Sequence, residues 1–262
     1  MGEAEGLSIV RGELSRPESY RGALRESDTV VHLAAATGKA SATEHHEVNV
    51  VGTQKLVEEC QRCGVRRLMF VSSIAVKFSD QRDYPYARTK SEAEQVILQS
   101  GLDTVIVRPA IVAGRGSPVI SSLARLASLP LLPLFGGGHA RIQPIHVEDL
   151  ARLILLVLKD DPFEEKILEF GGPEVISIGE FLRRLRARSL ERAGPAVTVP
   201  LAPVLPVLRM LEATVGSGLL PLTAGQLSTF RFDGTIESNR FHERLRGQLR
   251  GISDMIDEYD LP

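Results

Sequence analysis

The chain has no hydrophobic run long enough to cross a bilayer. Every apolar stretch in its 262 residues is broken by proline, glycine or arginine before the roughly 18 residues a spanning helix needs. The opening MGEAEGLSIV carries acids and lacks the apolar core of a secretion signal. Both absences point to a cytoplasmic protein without a transmembrane segment. Net charge is also small, −2 from 31 basic and 33 acidic residues, and with no long Lys/Arg run the footprint of a nucleic-acid partner is missing. Residues 183–192 are basic and read as the polar face of one helix. Cysteine is scarce: Cys60 and Cys63 are the only two. Their spacing invites a redox or zinc reading. However, apolar positions 50, 57 and 60 recur at helical spacing, and no second pair or His couple completes a tetrahedral site. Both thiols are therefore expected as buried or half-buried helix residues. His45 and His46, with only acids for neighbours, are expected at the surface.

What is present is apolar material enough, at 43% of residues, for one large α/β domain or a domain plus a small lobe. Short, mostly β-branched runs at 7–10, 29–33, 67–71, 104–107 and 167–170 predict strands. Helical patterns fall at 17–25, 44–63, 85–100 and 147–159. Strands separated by amphipathic helices imply right-handed crossovers and a parallel sheet covered on both faces. Ligands collect at the carboxyl ends of such strands, where residues 34–37, Ser72 with Ser73, and 109–113 fall. Beyond Gly171, Ser177 with Glu180 three residues on predicts a capped helix through about Arg192. The Pro/Leu-rich stretch 197–222 follows, broken at Gly216 and Gly218. Together with 117–135 it either roofs an apolar pocket or packs the lobe onto the sheet. The domain division expected is 1–172, with a lobe insertion near 115–142, and a C-terminal lobe at 173–262.

Tyr86 and Lys90 carry the chemistry. If Pro85 opens a helix and Gly101 stops it, they lie one turn apart on one face. A phenol beside an ammonium loses its proton more easily than a free one, whose pKa is about 10. A serine hydroxyl at the end of the preceding strand could hold a substrate oxygen within the phenol's reach.

His32-Leu33-Ala34-Ala35, Asn49 before Gly52-Thr53, Ser72-Ser73, Tyr86 with Lys90, Arg108-Pro109 before Ala113-Gly114, and Gln143-Pro144-Ile145-His146-Val147-Glu148-Asp149 after Gly136-Gly137-Gly138 resemble, in order and spacing, the extended short-chain dehydrogenase/reductases, the NAD-dependent epimerase/dehydratase group. The last segment, with Phe170-Gly171-Gly172-Pro173 after it, is most similar to the branch related to the nucleotide-binding accessory subunit of respiratory complex I. The resemblance implies a Rossmann-like α/β fold with a parallel sheet and a small, mainly helical C-terminal lobe. It implies catalytic roles for Tyr86 as acid/base, Lys90 in lowering its pKa and holding the nicotinamide ribose, Ser73 in orienting the substrate oxygen, and Asn49 in fixing the helix that positions Lys90. Ala34 and Ala35 would line an NAD or NADP cofactor, and Pro109 with Ile111 would pass under the nicotinamide. Ser73 is preferred to Ser72 by aligning Ala75-Val76, although Lys77-Phe78 replace a common Tyr-Gly. Homodimers through the helices carrying Asn49 and Tyr86 are implied on the same basis.

The largest departure from the group is the missing Gly-x-x-Gly-x-x-Gly turn, through which backbone N–H groups and a helix N-terminus meet the pyrophosphate. The chain is expected to lack the first two strands, roughly 50 to 60 residues or about two strand-helix units, with dinucleotide affinity severely weakened. The segment 7–10 should then either pair directly with the run 29–33 or not pair at all. Two functions compete: an NAD(P)-dependent oxidoreductase, epimerase or dehydratase acting on a small, possibly apolar, molecule, and a non-catalytic nucleotide- or quinone-binding scaffold. Arg115, His139 and Arg141 are better read as surface residues than as phosphate ligands.

Overall fold

The apolar runs form a parallel sheet, the central ones offering apolar side chains to both faces. The computed structural model describes residues 6–190, 194–215 and 222–258. Within them β1 (Thr29–His32), β2 (Arg67–Val71) and β3 (Asp103–Pro109) are joined by the strand Ile167–Phe170 in a four-stranded sheet, in that order. Phe70 of β2 pairs with His32 on one side and Ile106 on the other. Leu68, Phe70 and Ile106 meet Val57, Ala93 and Ile97 on one face. Met69, Val105 and Val107 meet Leu153 and Val157 on the opposite face. Burial on both sides is why the strands read as apolar runs rather than as alternating ones.

The run at 7–10 is no strand. Leu7, Ile9 and Val10 are exposed, and among the described residues β1 has no neighbour on its far side, so non-pairing is the outcome found. The stretch that would have carried it alongside is a 3-10 turn, Pro17–Ser19, and one short helix, Arg21–Arg25. Leu24 there packs on Leu56, Cys60 and Val65, covering the flank of the sheet. The helix expected at 44–63 begins at Ala42 and contains one π-helical turn, Glu47–Val51, before Gly52–Cys63. Gly64 ends it in the left-handed region at φ 77°, as a helix C-terminus favours. Cys60 is fully buried, its thiol pushed up to about 12 by burial, and Cys63 is half-buried.

The lobe is built on the helices Pro118–Ala127, Ile178–Leu190 and Leu201–Val215, whose Leu123, Leu126, Phe181, Leu185 and Leu205 share one core. Ser177 caps the second of these, accepting from the Glu180 amide at 3.2 Å. Among the described basic residues of the run 183–192, Arg186 departs from a solvated face: it is buried and donates to the carbonyls of Ala127, Leu129 and Pro130. It thereby satisfies orphan groups at and beyond the end of the helix Pro118–Ala127. Leu201 and Leu205 enter the lobe core, so that part of 197–222 packs the lobe, while Gly216 and Gly218 lie outside the described residues. The chain then returns to the sheet, setting Phe241 edge-on against Phe170.

Candidate functional site

β2 ends at Val71 and delivers Ser72 and Ser73 to the carboxyl edge of the sheet. Ser73 starts the 3-10 turn Ile74–Lys77, its Oγ accepting from the Ala75 amide at 3.2 Å. Proline suits the first position of a helix, where its missing N–H is no loss. Pro85 takes that position in the helix Pro85–Leu98, which sets Tyr86 and Lys90 one turn apart. The Tyr86 phenol and the Ser73 side chain lie close enough for the serine to favour the ionised phenol. Lys90 is 1% exposed, and its Nζ donates to the Val71 carbonyl at 2.7 Å while lying 4.0 Å from the Phe70 ring centroid. Ser73, Tyr86 and Lys90 therefore meet at one strand end. The helix is locked to β3 by the buried pair of Glu94 with Arg108, at 2.9 and 2.6 Å.

The electrostatics differ from the expectation of an acidified phenol. Burial pushes Tyr86 up to about 12, only partly offset by the neighbouring Ser73 side chain. Burial also brings Lys90 down to about 7, against the pull of Glu94. The amine is spent on Val71 O, and desolvation of both charged forms outweighs what an ammonium could do for the phenolate.

Asn49 sits in the π-helical turn Glu47–Val51, a distortion often found at functional sites. Its Oδ1 accepts from the Ala36 amide at 2.7 Å, and its Nδ2 donates to Ala36 O at 3.2 Å and Thr89 Oγ1 at 3.1 Å. Thr89 Oγ1 is in turn within hydrogen-bond range of the carbonyls of Pro85 and Tyr86, at 2.9 and 3.1 Å. The turn after β1 and the helix of Tyr86 are thus tied through one amide directly. His45, expected at the surface, is buried at 2% exposure. Its Nδ1 meets Ala36 O at 3.1 Å, and its ring stands edge-on to Tyr86 with centroids 5.9 Å apart. It lies four residues before Asn49, so the helical spacing that puts both on one face was the available signal. His46 is exposed, as expected.

In front of this end of the sheet lies a cavity of about 330 Å³. Ser72, Ser73, Tyr84 and Tyr86 form one wall, Pro109 and Ile111 another. Val119 and Leu123 of the helix Pro118–Ala127 face it from the lobe, with Leu222, Phe230 and Phe232. Among the described residues, no Asp, Glu, Lys, Arg or His lines it. Of the expected site residues, Ser73, Tyr86, Pro109 and Ile111 reach the cavity, while Lys90 and Asn49 are buried and are not among the lining residues. Ala34 and Ala35 stand beyond β1, exposed and half-buried respectively, outside the cavity. Arg115, His139 and Arg141 are exposed, and Arg141 pairs with Asp233 at 2.8 Å. Sequence reasoning missed Tyr84 as well as His45, although it precedes Tyr86 by only two positions.

The site suits the reactive end of a nicotinamide dinucleotide, with hydroxyls on one wall and apolar residues on the other. The pyrophosphate end is different: among the described residues, no turn with three spaced glycines follows a strand of the main sheet. Gly136 and Gly138 serve packing instead, since a Cβ would meet Leu201 Cδ1 at 3.1 Å and Gly179 Cα at 2.8 Å.

The sequence profile of the NAD dependent epimerase/dehydratase family matches residues 2–179. The 2-alkyl-3-oxoalkanoate reductase of Stenotrophomonas maltophilia is 29% identical over 167 residues, 56% of this chain and 51% of that protein. NADH dehydrogenase [ubiquinone] 1 alpha subcomplex subunit 9, mitochondrial, of Dictyostelium discoideum is 26% identical over 183 residues, 70% of this chain and 50% of that one. The chain thus spans about half the length of these curated relatives. The Bordetella bronchiseptica enzyme WbmH, solved in complex with NAD+, superposes with a TM-score of 0.70 at 18% identity, over 98% of this chain and 82% of that one. That likeness supports the Rossmann-like α/β fold. Among the described residues no helix is long and apolar enough to cross a membrane.

Proposed function

Because the chain belongs to the NAD dependent epimerase/dehydratase family, we propose that Ser73, Tyr86 and Lys90 form the proton-transfer site of an NAD(P)-linked oxidoreduction on a small, neutral, apolar ketone or alcohol. The observation that carries this reading is the placement of the Ser73–Tyr86 pair on the wall of a cavity with no charged lining residue among those described. A sugar nucleotide would bring phosphates into a wall with nothing to neutralise them, at a heavy desolvation penalty. A neutral ketone loses little by entering it.

A bound nicotinamide would supply or accept the hydride. Tyr86 gives its proton to the substrate oxygen in reduction and takes it back in oxidation. Ser73 holds that oxygen beside the phenol. A phenol kept protonated up to about 12 is set for the reductive direction. Lys90, anchored on Val71 O, stands behind as a proton reserve near neutrality. Pro109 and Ile111 form the apolar wall for the nicotinamide, Ala34 and Ala35 flank the cofactor at the end of β1, and Asn49 keeps the helix of Tyr86 in place.

The test follows absorbance of NADH and NADPH at millimolar concentration with a panel of neutral ketones. Ketone-dependent consumption should be saturable, and Tyr86→Phe should lower it about 100-fold or more, within the range of general acid catalysis. Equal rates in wild type and Tyr86→Phe would contradict the reading. The second reading, a non-catalytic scaffold that holds an apolar ligand, draws support from an amine committed to Val71 O rather than to the phenol. It predicts ligand binding without turnover.

A further inference from the structure

The reacting oxygen of such a substrate engages Ser73 and Tyr86, yet two further hydroxyl-bearing residues, Ser72 and Tyr84, line the same cavity. Ser72 is 3% exposed, lines the cavity, and its Oγ is buried with no hydrogen-bond partner among the described residues. Its amide is already used, donating to Val107 O at 2.7 Å. Buried hydroxyls are bonded in the great majority of cases, so an orphan just behind the cavity wall is a group that a small side-chain rotation could turn to a ligand atom. Tyr84 lines the cavity too, its ring 5.6 Å from that of Tyr86 and inclined by 45°. Its ring is half-buried beside the cavity, and burial pushes its phenol up.

Tyr84 is held there by more than its own packing. The helix Ala224–Ser228 sits directly on it at Gly225, where a Cβ would meet Asp83 O at 2.6 Å and Tyr84 Cδ2 at 3.0 Å. Asp83 is ion-paired to Arg209 of the lobe. Phe78 stacks on Phe232 with centroids 5.2 Å apart, and both rings border the cavity. The lobe thus fixes this segment, and with it the phenol, against the catalytic strand end.

We propose that the substrate carries a second neutral oxygen near its reacting carbonyl, held by the Tyr84 phenol, with the Ser72 hydroxyl in reserve at the same cavity. The compound is then a β-keto ester, hydroxyketone or quinone rather than a simple ketone. A carboxylate is excluded by the lack of any cation in the described lining. The inference rests on the proton-transfer reading only in taking the Tyr86–Ser73 wall as the reacting end.

The experiment is calorimetric titration, without cofactor or turnover, of wild type, Tyr84→Phe and Ser72→Ala with ethyl 3-oxooctanoate and with 2-decanone. The first probe has a ketone and an ester oxygen, the second a ketone alone. Wild type should favour the keto ester by about three- to tenfold, the worth of one neutral hydrogen bond. Tyr84→Phe should erase most of that preference and leave 2-decanone unchanged, and Ser72→Ala should erase part of it. Should Tyr84→Phe unfold, Ser72→Ala reads the same difference. Equal affinity of wild type for the two probes, binding of neither, or equal weakening of both by Tyr84→Phe would overturn the proposal. Because no chemistry is measured, it can fail while Tyr86-dependent turnover stands, and the reverse.

Discussion

At the residue scale the site is governed by desolvation. Lys90 and Tyr86 occupy one dry strand end, and each is driven toward its neutral form. The consequence is a pH dependence of stability whose sign is fixed. The Lys90 pKa falls from 10.5 to about 7, so between those values the unfolded chain holds a proton that the folded chain has released. Stability therefore rises with pH across this window. Urea denaturation should show a contribution of about 2 kcal/mol between pH 7 and pH 9, at about 1.4 kcal/mol per unit, and Lys90→Met should flatten it. Identical slopes in the two proteins would refute a neutral buried lysine. Tyr86 acts with the opposite sign at higher pH: raised from 10.0 to about 12, it keeps a proton that the unfolded chain loses, so its contribution fades as pH climbs through that range.

At the element scale, two contacts join pieces that the sequence leaves far apart. Asn49 bonds both the turn after β1 and Thr89 of the Tyr86 helix. Asn49→Ala leaves the Ala36 amide without that partner and should cost about 1–3 kcal/mol, measured by urea denaturation. Gly225→Ala places a methyl 2.6 Å from Asp83 O. It should destabilise by about 1–3 kcal/mol and weaken binding of neutral ligands in the cavity, which calorimetry would read. Apolar runs were legible in the sequence: β2, largely buried, and the edge strand Ile167–Phe170, buried on one face, lie where their runs predict, and Pro85 opens its helix. The run at 7–10 misled because apolar, β-branched residues near a chain end carry no sign of whether a core is within reach. His45 misled because its neighbours in sequence are acidic, while its neighbours in space are Ala36 and Tyr86. The π-helical turn and the orphan Ser72 hydroxyl depend on tertiary packing, which no local pattern encodes.

At the scale of the whole molecule, the sheet end carries the proposed reacting groups, and the lobe faces them across a cavity with no charged lining residue among those described. On the proposed reading the described residues would seat the nicotinamide end of a dinucleotide, and among them no glycine-rich turn for the pyrophosphate follows a strand of the main sheet. The measurement that tests this most directly is a pair of fluorescence titrations, one with NADH and one with reduced nicotinamide mononucleotide, which lacks the adenylate half. Both should bind weakly and saturably, with affinities within about threefold, since only the shared half is gripped. NADH binding more than about tenfold tighter, a difference of about 1.4 kcal/mol, or binding of neither, would contradict it.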